Sequence, residues 1–179
     1  MRILLHLCCA NCAIYPVDVL REQGHEISGF FFNHNIHPYL EFKRRLETVK
    51  EYAAKVELAV LYREDYLLEE FLAAAAPQPD LRCDYCYRSR LEITARIAAE
   101  QGFEAFSTSL LYSRYQQHEK IREYGESLAR QFGIRFVYQD FRQGWKQGID
   151  ASKGMGLYRQ QYCGCIYSEK ERYSPRCRN

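Results

Sequence analysis

The 179-residue sequence contains no apolar run that approaches the roughly 18 residues needed to span a bilayer. Its N-terminus also lacks the charged, apolar and cleavage regions of a signal peptide. Internal repeats and low-complexity tracts are absent, and the net charge is only +2, too small to indicate a nucleic-acid-binding protein by itself. These absences predict a cytoplasmic protein formed by one domain over residues 1–179 and without a membrane partner. We also expect a monomer.

Glycine is missing from one informative position. Residues 3–7 are almost all apolar and predict a buried strand, and apolar residues at helical spacing resume at residue 14. The connection between them, residues 8–12, contains no glycine, although a phosphate-binding loop needs glycine so that its backbone N–H groups can approach a pyrophosphate. ATP-dependent chemistry, such as the adenylation and thiolation of tRNA, is therefore disfavoured.

Cysteine, in contrast, is abundant, with eight residues in the chain. Seven of them fall into three groups: Cys8, Cys9 and Cys12; Cys83 and Cys86; Cys163 and Cys165. A reducing cytosol does not maintain structural disulfides, so metal binding is the stronger interpretation. Isolated buried thiols are the alternative, and the clustering argues against it.

The number of thiols bears on the kind of metal centre. Seven thiolates exceed the four that one tetrahedral zinc or one four-iron cluster takes. We therefore expect a cluster with a second metal, or one metal centre beside redox-active thiols. A structural zinc site remains an alternative, because cysteines two residues apart occur in zinc ribbons. We expect the adjacent Cys8 and Cys9 to point in different directions, so that they bridge two atoms of a cluster or serve two sites.

Strand and helix patterns alternate along most of the chain. Strands are predicted at residues 3–7, 27–32, 58–62, 104–108 and 135–138, with helical spacing in the segments between them. This alternation predicts an α/β fold, a doubly wound and mainly parallel five-stranded sheet with helices on both faces. If the first and fourth strands are neighbours, the first cysteine group lies at the switch point where such sheets bind ligands, next to a helix N-terminus that favours thiolates.

The C-terminal quarter has a different composition. Residues 140–168 are rich in Gly and Tyr, and we predict an irregular segment that carries Cys163 and Cys165 and closes the site. From Asp140 onward there are eight Lys or Arg against four Asp or Glu. Such an excess can contact phosphates of a nucleic acid, or it can simply form a solvated face.

Several sequence blocks, in this order, resemble the QueH family of epoxyqueuosine reductases: LLHLCCANC, FFNHNIHP with EFKRRLE, RCDYCYRSRLEITA, DFRQG and SKGMGLYRQQYCGC. The resemblance covers nearly the whole chain and implies a nucleotide-hydrolase-like, HUP-type fold. It also implies the last step of queuosine formation, the removal of an epoxide oxygen from the modified wobble base of tRNA. That step uses a 4Fe-4S cluster, an additional iron ion and an external electron donor.

One position departs from the family pattern. The family commonly has Pro where this chain has Asn11, and we expect a small effect because Asn also caps helices well.

The resemblance leads to an assignment of ligands. Cys8, Cys9, Cys83 and Cys86 are assigned to the cluster, and Cys12, Cys163 and Cys165 to the second metal. No feature of the sequence dictates this division. Cys177 lies outside the motifs and is not assigned to metal.

Three residues are candidate proton sources for the departing oxygen: Asp140, His37 and Tyr162. Asp140 follows the last strand and could instead cap a helix. His37 precedes Pro38 and could instead close its loop, whereas His6 lies within the first strand and is expected to be a packed core residue.

Candidates for binding the anticodon stem-loop are Asn33, Asn35, Arg142, Lys153, Tyr158, Arg159 and Gln160. Basic side chains contact phosphates, and Gln can contact base edges. Tyr158 and Tyr162 can stack on unpaired bases, or they can be ordinary packing residues. The alternative function is a non-enzymatic one, an iron-sulfur electron carrier or a zinc-stabilised RNA-binding module without epoxide chemistry.

Overall fold

Strands and helices alternate through most of the structure, a computed structural model that describes residues 1–174. Cys177 lies outside the described residues. The elements are β1 (Arg2–His6), α1 (Ala10–Glu22), β2 (Glu26–Phe31), α2 (Tyr39–Lys55), β3 (Val60–Tyr62), α3 (Leu68–Ala75), α4 (Arg82–Glu100), β4 (Ala105–Thr108), α5 (His118–Phe132), β5 (Arg135–Phe136), α6 (Trp145–Gly154) and α7 (Ile166–Tyr173). Within this part of the chain, no helix is long and apolar enough to cross a membrane.

The five strands form one sheet in the order β3-β2-β1-β4-β5, and every pairing is parallel. This confirms the predicted doubly wound α/β fold, and it confirms that the first and fourth strands are neighbours. The chain leaves β1 towards β2 on one side and returns to β4 on the other. The carboxyl end of β1 is therefore the switch point at which such sheets open a crevice for ligands.

The core explains why these segments become strands and helices. Ile3, Leu4 and Leu5 are completely buried, because helices cover both faces of the central strand and a continuous apolar run suits that position. Helix α2 buries an apolar stripe at helical spacing that includes Phe42 and Val49.

The C-terminal segment is more regular than predicted, because residues 140–168 contain α6 and the start of α7. Gly148 and Gly154 lie within α6 and explain why the sequence did not indicate this helix, since glycine is a poor helix former. A Cβ atom at Gly144 would lie 2.3 Å from the ring of Tyr15, and one at Gly148 would lie 2.4 Å from the Tyr112 hydroxyl. Gly144 therefore allows the turn before α6 to lie against Tyr15 of α1, and Gly148 allows α6 itself to lie against Tyr112. Residues 155–165 have no regular structure, as expected.

Candidate metal centre

Three sulfurs meet where β1 gives way to α1. The Sγ atoms of Cys8, Cys9 and Cys12 all lie within 4.8 Å of one another, and those of Cys8 and Cys9 are 3.9 Å apart. Cys9 is the N-cap of α1, and its Sγ accepts a hydrogen bond from the Cys12 N–H at 3.3 Å. The expectation that Cys8 and Cys9 diverge is wrong, because the extended backbone of the N-cap turns the Cys9 sulfur over the first turn of the helix. Asn11 is consequently inside the helix and does not cap it.

The three sulfurs differ in protonation. Hydrogen bonds from Cys12 and Cys9, together with Ser109 Oγ at 3.3 Å, hold the pKa of Cys8 well below its usual value, although burial opposes this. Burial raises the pKa of Cys9, and the pKa of Cys12 is raised because its proton is held by the neighbouring sulfurs. One thiolate is thus stabilised by two thiols. A bound cation would displace the remaining protons, since metals coordinate the thiolate form.

The other four thiols form a second group. Cys83 and Cys86 lie in the first turns of α4, and Cys163 and Cys165 lie in the loop before α7. Burial raises the pKa of Cys86 to about 12, and the charges of the other three thiols add to that rise. Burial also raises the pKa of Cys83, with further contributions from Cys163 and Cys165. Each pair of thiols therefore acts electrostatically on the other.

A buried arginine holds the C-terminal loop in place. Arg45 donates from Nη1 to the Cys163 carbonyl at 2.7 Å and from Nη2 to the Tyr162 carbonyl at 3.0 Å. Its Nε donates to Glu41 at 2.7 Å, so the guanidinium charge is paired inside the protein. This fixes the position of Cys163 relative to α2.

His37 holds the same loop from the other side. Its N–H donates to the Gly164 carbonyl at 2.8 Å, and its own carbonyl accepts from the Tyr162 hydroxyl at 2.5 Å. Nδ1 accepts from the Ile166 N–H at 3.3 Å, so Nε2 carries the proton that is donated to the His34 carbonyl at 3.1 Å. Burial lowers the pKa of His37 to about 4. A neutral ring with both nitrogens engaged fits the loop-closing alternative.

Two side-chain amides reach the sulfurs. Gln160 Nε2 lies 2.8 Å from Cys9 Sγ, and Gln116 Nε2 lies 3.4 Å from Cys163 Sγ. Asn11 binds the same C-terminal loop, donating to the Tyr158 carbonyl at 2.9 Å and to Gln160 Oε1 at 2.7 Å. The residue that replaces the family's usual proline therefore joins α1 to the segment that reaches its sulfurs.

Asp140 lies at the surface in an ion pair with Arg142. Its Oδ1 accepts from the Arg142 N–H at 3.0 Å at the start of a short 3-10 turn, and the guanidinium approaches Oδ2 to 2.5 Å. Hydrogen bonds from Arg142 lower the pKa of Asp140 to about 2. A carboxylate that is ionised at neutral pH has no proton to donate, so the geometry disfavours Asp140 as a proton source. Asp140 does not cap the turn either, because the N-cap residue is Phe141.

The other predicted substrate-binding residues are distributed around the loop. Tyr158 donates its hydroxyl to Glu41 at 2.6 Å, and the Arg44 guanidinium lies 4.7 Å from its ring centre. Lys153 and Arg159 are exposed. Asn33 donates Nδ2 to the Leu7 carbonyl at 2.9 Å. The Oδ1 atoms of Asn33 and Asn35 are buried and have no hydrogen-bond partner within residues 1–174.

The sequence analysis missed several residues that line the site: His34, Arg45, Arg90, Ser109 and Gln116. A signal existed for two of them. Arg45 falls on the buried stripe of α2, three residues after Phe42, and Arg90 lies four residues after Cys86 on the same face of α4. A charged residue on an otherwise buried helical face indicates a buried ionic contact.

Comparison with known proteins agrees with the sequence blocks. Residues 3–171 match a family model described as "Epoxyqueuosine reductase QueH". The proteins named epoxyqueuosine reductase QueH from Dehalococcoides mccartyi and Thermotoga maritima are 39% and 36% identical to this chain. These matches cover 96% and 95% of this chain, and 94% and 91% of the relatives.

A solved structure shares the fold, with a TM-score of 0.56 at 14% identity. It is titled the predicted subunit of a tRNA methyltransferase from Methanocaldococcus jannaschii, and the match covers 86% of this chain and 74% of that one. The family model spans almost the whole chain and the relatives align over nearly their full length. The chain therefore belongs to the QueH family of epoxyqueuosine reductases, a family of oxidoreductases.

Proposed function

We propose that this protein reduces epoxyqueuosine to queuosine at the wobble position of tRNA, the final step of queuosine biosynthesis. The family supports the reaction, and the cysteine triad within 4.8 Å is the observation of this structure that carries it. We place the reaction in the cytoplasm, where thiols stay reduced. The protein acts as a monomer with an external electron donor.

We also propose a division of the ligands that follows the structure. Cys83, Cys86, Cys163 and Cys165 hold the 4Fe-4S cluster, because four neighbouring thiolates are the usual ligand set for such a cluster. They come from the start of one helix and a loop clamped by Arg45, so both pairs have defined positions.

Cys8, Cys9 and Cys12 then hold the additional iron ion. Metal–sulfur bonds of about 2.3 Å place two sulfurs of a tetrahedral site about 3.8 Å apart, and the Cys8 and Cys9 sulfurs are 3.9 Å apart. Three protein ligands leave a coordination position open, which is the arrangement of catalytic metal sites. The donor set therefore fits a catalytic ion better than a closed structural one.

Conversion of an epoxide to an alkene consumes two electrons and two protons, and the oxygen departs as water. When bound, the cluster supplies electrons singly and the metal ion acts as a Lewis acid. Among the three predicted proton sources we favour Tyr162, whose hydroxyl has to leave the His37 carbonyl, 2.5 Å away, to reach the substrate. Burial raises the pKa of Tyr162 to about 12, so its hydroxyl keeps its proton at neutral pH, and it lies beside Cys163. Asp140 is ionised at neutral pH, and both ring nitrogens of His37 already form hydrogen bonds within the protein.

The chain's own side chains would bind the tRNA around this centre. Exposed Lys153 and Arg159 are suited to phosphate contacts. Asn33 and Asn35 are each 2% exposed, so entry of the modified base has to uncover their unpartnered Oδ1 atoms before these accept hydrogen bonds from its hydroxyl or amino groups. Buried acceptors of this kind discriminate strongly, because a substrate without the matching donor leaves them unpaired.

Anaerobic reconstitution tests the proposal. Iron, acid-labile sulfide and visible absorbance are measured on the purified protein, and the same sample is then assayed for conversion of epoxyqueuosine-containing tRNA with dithionite as electron donor. We expect broad visible absorbance and turnover. A colourless zinc protein would indicate the structural zinc alternative, and a coloured protein without turnover would indicate an electron carrier.

A further inference from the structure

Arg90 is a buried cation without a carboxylate partner. Its side chain is among the most completely buried in the protein, at 2% exposure. Within residues 1–174 no ion pair joins it to Asp or Glu. Arg45, also 2% exposed, differs because Glu41 lies 2.7 Å from its guanidinium. Burial of an unpaired charge is strongly unfavourable, so another anion has to compensate Arg90.

The helix directs Arg90 towards the thiols. It lies four residues after Cys86 and seven after Cys83, on one face of α4. Helical side chains lean towards the N-terminus of their helix, and Arg90 Nε accordingly donates to the Cys86 carbonyl at 2.9 Å. The guanidinium therefore lies over the turn that carries Cys86.

Both thiol groups act on this guanidinium. Burial lowers the pKa of Arg90, but the charges of Cys86, Cys163 and Cys8 outweigh it and raise the pKa overall. Cys8 belongs to the triad and the other two to the second group, so thiols of both groups act electrostatically on Arg90. Helix α4 also packs against β1, the strand that leads into Cys8.

Two buried histidines, His6 and His34, are within range of the charge of Arg90. Burial lowers the pKa of His6 to about 4 and that of His34 to about 3, and the charge of Arg90 contributes to both shifts. Arginine itself stays protonated in proteins. Arg90 is thus a permanent positive charge beside thiols that become negatively charged when they coordinate a metal.

We propose that Arg90 is the fixed counter-charge of the metal–sulfur centre and raises its reduction potential. This inference rests on the proposed function. When an external one-electron donor is oxidised and the centre is reduced, the centre gains one negative charge. A fixed positive charge in a poorly solvated interior stabilises that more negative state. Arg90 is a positioning residue in this sense, because it acts on the substrate only through the centre.

The test compares R90M, which removes the charge, with R90K, which keeps it. The midpoint potential of each reconstituted protein is measured by spectroscopic titration with dithionite. For R90M we expect an equilibrium constant for reduction at least tenfold lower, a shift of about 59 mV for one electron, and for R90K a smaller shift. R122M is the control, because Arg122 is an exposed residue of α5 paired with Glu126, and its potential should equal that of the wild type.

The outcomes separate the proposals. An R90M protein with full iron content and an unchanged potential would overturn the role of Arg90 while leaving the reductase proposal intact. A wild-type protein that binds iron but does not convert the tRNA would overturn the proposed function and leave the potential measurement valid.

If R90M takes up no iron, R90K and R90Q decide the question: uptake by R90K alone supports the charge, and loss in all three shows a purely structural role. Thermal unfolding of the metal-free R90M protein should occur no earlier than that of the wild type, since it removes an uncompensated charge.

Discussion

The side-chain amide of Gln160 donates a hydrogen bond to the sulfur of Cys9 at 2.8 Å, although 151 positions separate the two residues in the sequence. Asn11 reinforces this contact by donating to Gln160 Oε1 at 2.7 Å. The loop that carries the third cysteine group is thereby attached directly to the first. Groups that bond to a ligand orient it and tune the metal that it holds.

Substitution of Gln160 should weaken metal binding by the triad. Q160L removes the donor to Cys9, and partners of this kind typically contribute a factor of about 10–100 in metal affinity. Competition with an iron chelator measures the loss. Q161L is the matched control, because Gln161 is exposed and its amide binds the Arg159 carbonyl instead. Equal losses in both variants would contradict a specific role for Gln160.

Single cysteine substitutions should separate the two metal sites. C86S removes a thiolate from the second group and should abolish acid-labile sulfide together with most of the iron. C12S should lose only the additional iron and keep the sulfide, because the triad holds a separate ion in our proposal. Iron and sulfide analysis distinguishes the two, with C177S as a control expected to match the wild type. Loss of acid-labile sulfide in C12S would contradict this separation and would indicate that Cys12 also holds the cluster.

Removal of Arg45 should destabilise the whole domain. R45M leaves the Glu41 carboxylate buried without its cation and releases the carbonyls of Tyr162 and Cys163. Breaking a buried pair from one side costs about 3–5 kcal/mol of unfolding free energy. Urea denaturation of the metal-free protein measures this value.

Two further variants check the cause of that loss. The double variant R45M/E41L removes both charges and should recover part of the stability. K55M breaks the exposed pair with Glu51 on the same helix and should cost no more than about 0.5 kcal/mol. Similar losses for R45M and K55M would show that the buried pair has no special contribution.

His34 should make stability depend on pH. The Ser89 hydroxyl donates to the Tyr85 carbonyl, so Nε2–H of His34 donates to Ser89 Oγ at 2.6 Å and the buried Nδ1 has no partner within the described chain. Burial and nearby positive charge lower the pKa of His34 from 6.5 to about 3. Between these pH values the unfolded chain binds a proton that the folded chain does not. Stability from this residue is therefore present above pH 6.5 and lost as the pH falls towards 3.

The variant H34F tests this dependence. Phenylalanine fits the aromatic surroundings formed by Phe32, Phe71 and Tyr85 and removes the titrating group. Urea unfolding of metal-free protein at a series of pH values should show a slope reduced by up to about 1.4 kcal/mol per pH unit below pH 6.5. Identical slopes in the wild type and H34F would mean that His34 is protonated in the folded state.

Much of the architecture was predictable because it depends on local patterns. The apolar run that became β1, the buried stripe of α2 and the alternation of strands and helices dictate a parallel doubly wound sheet. Such a sheet aligns the carboxyl ends of its strands, so cysteines placed after β1 were expected at one edge. The order of the motif blocks and the identities of their residues were sufficient to identify the family.

What the tertiary structure alone decided is which groups meet. The sequence offered no reason to join Gln160 to Cys9 or Arg45 to the Cys163 carbonyl, because these contacts depend on how segments far apart in the chain pack together. The same holds for the burial of Arg90, and for α6, whose Gly148 is unfavourable in a helix but permits close packing against Tyr112. Local sequence determines the elements and their faces, whereas the free energy of packing selects the partners of each side chain.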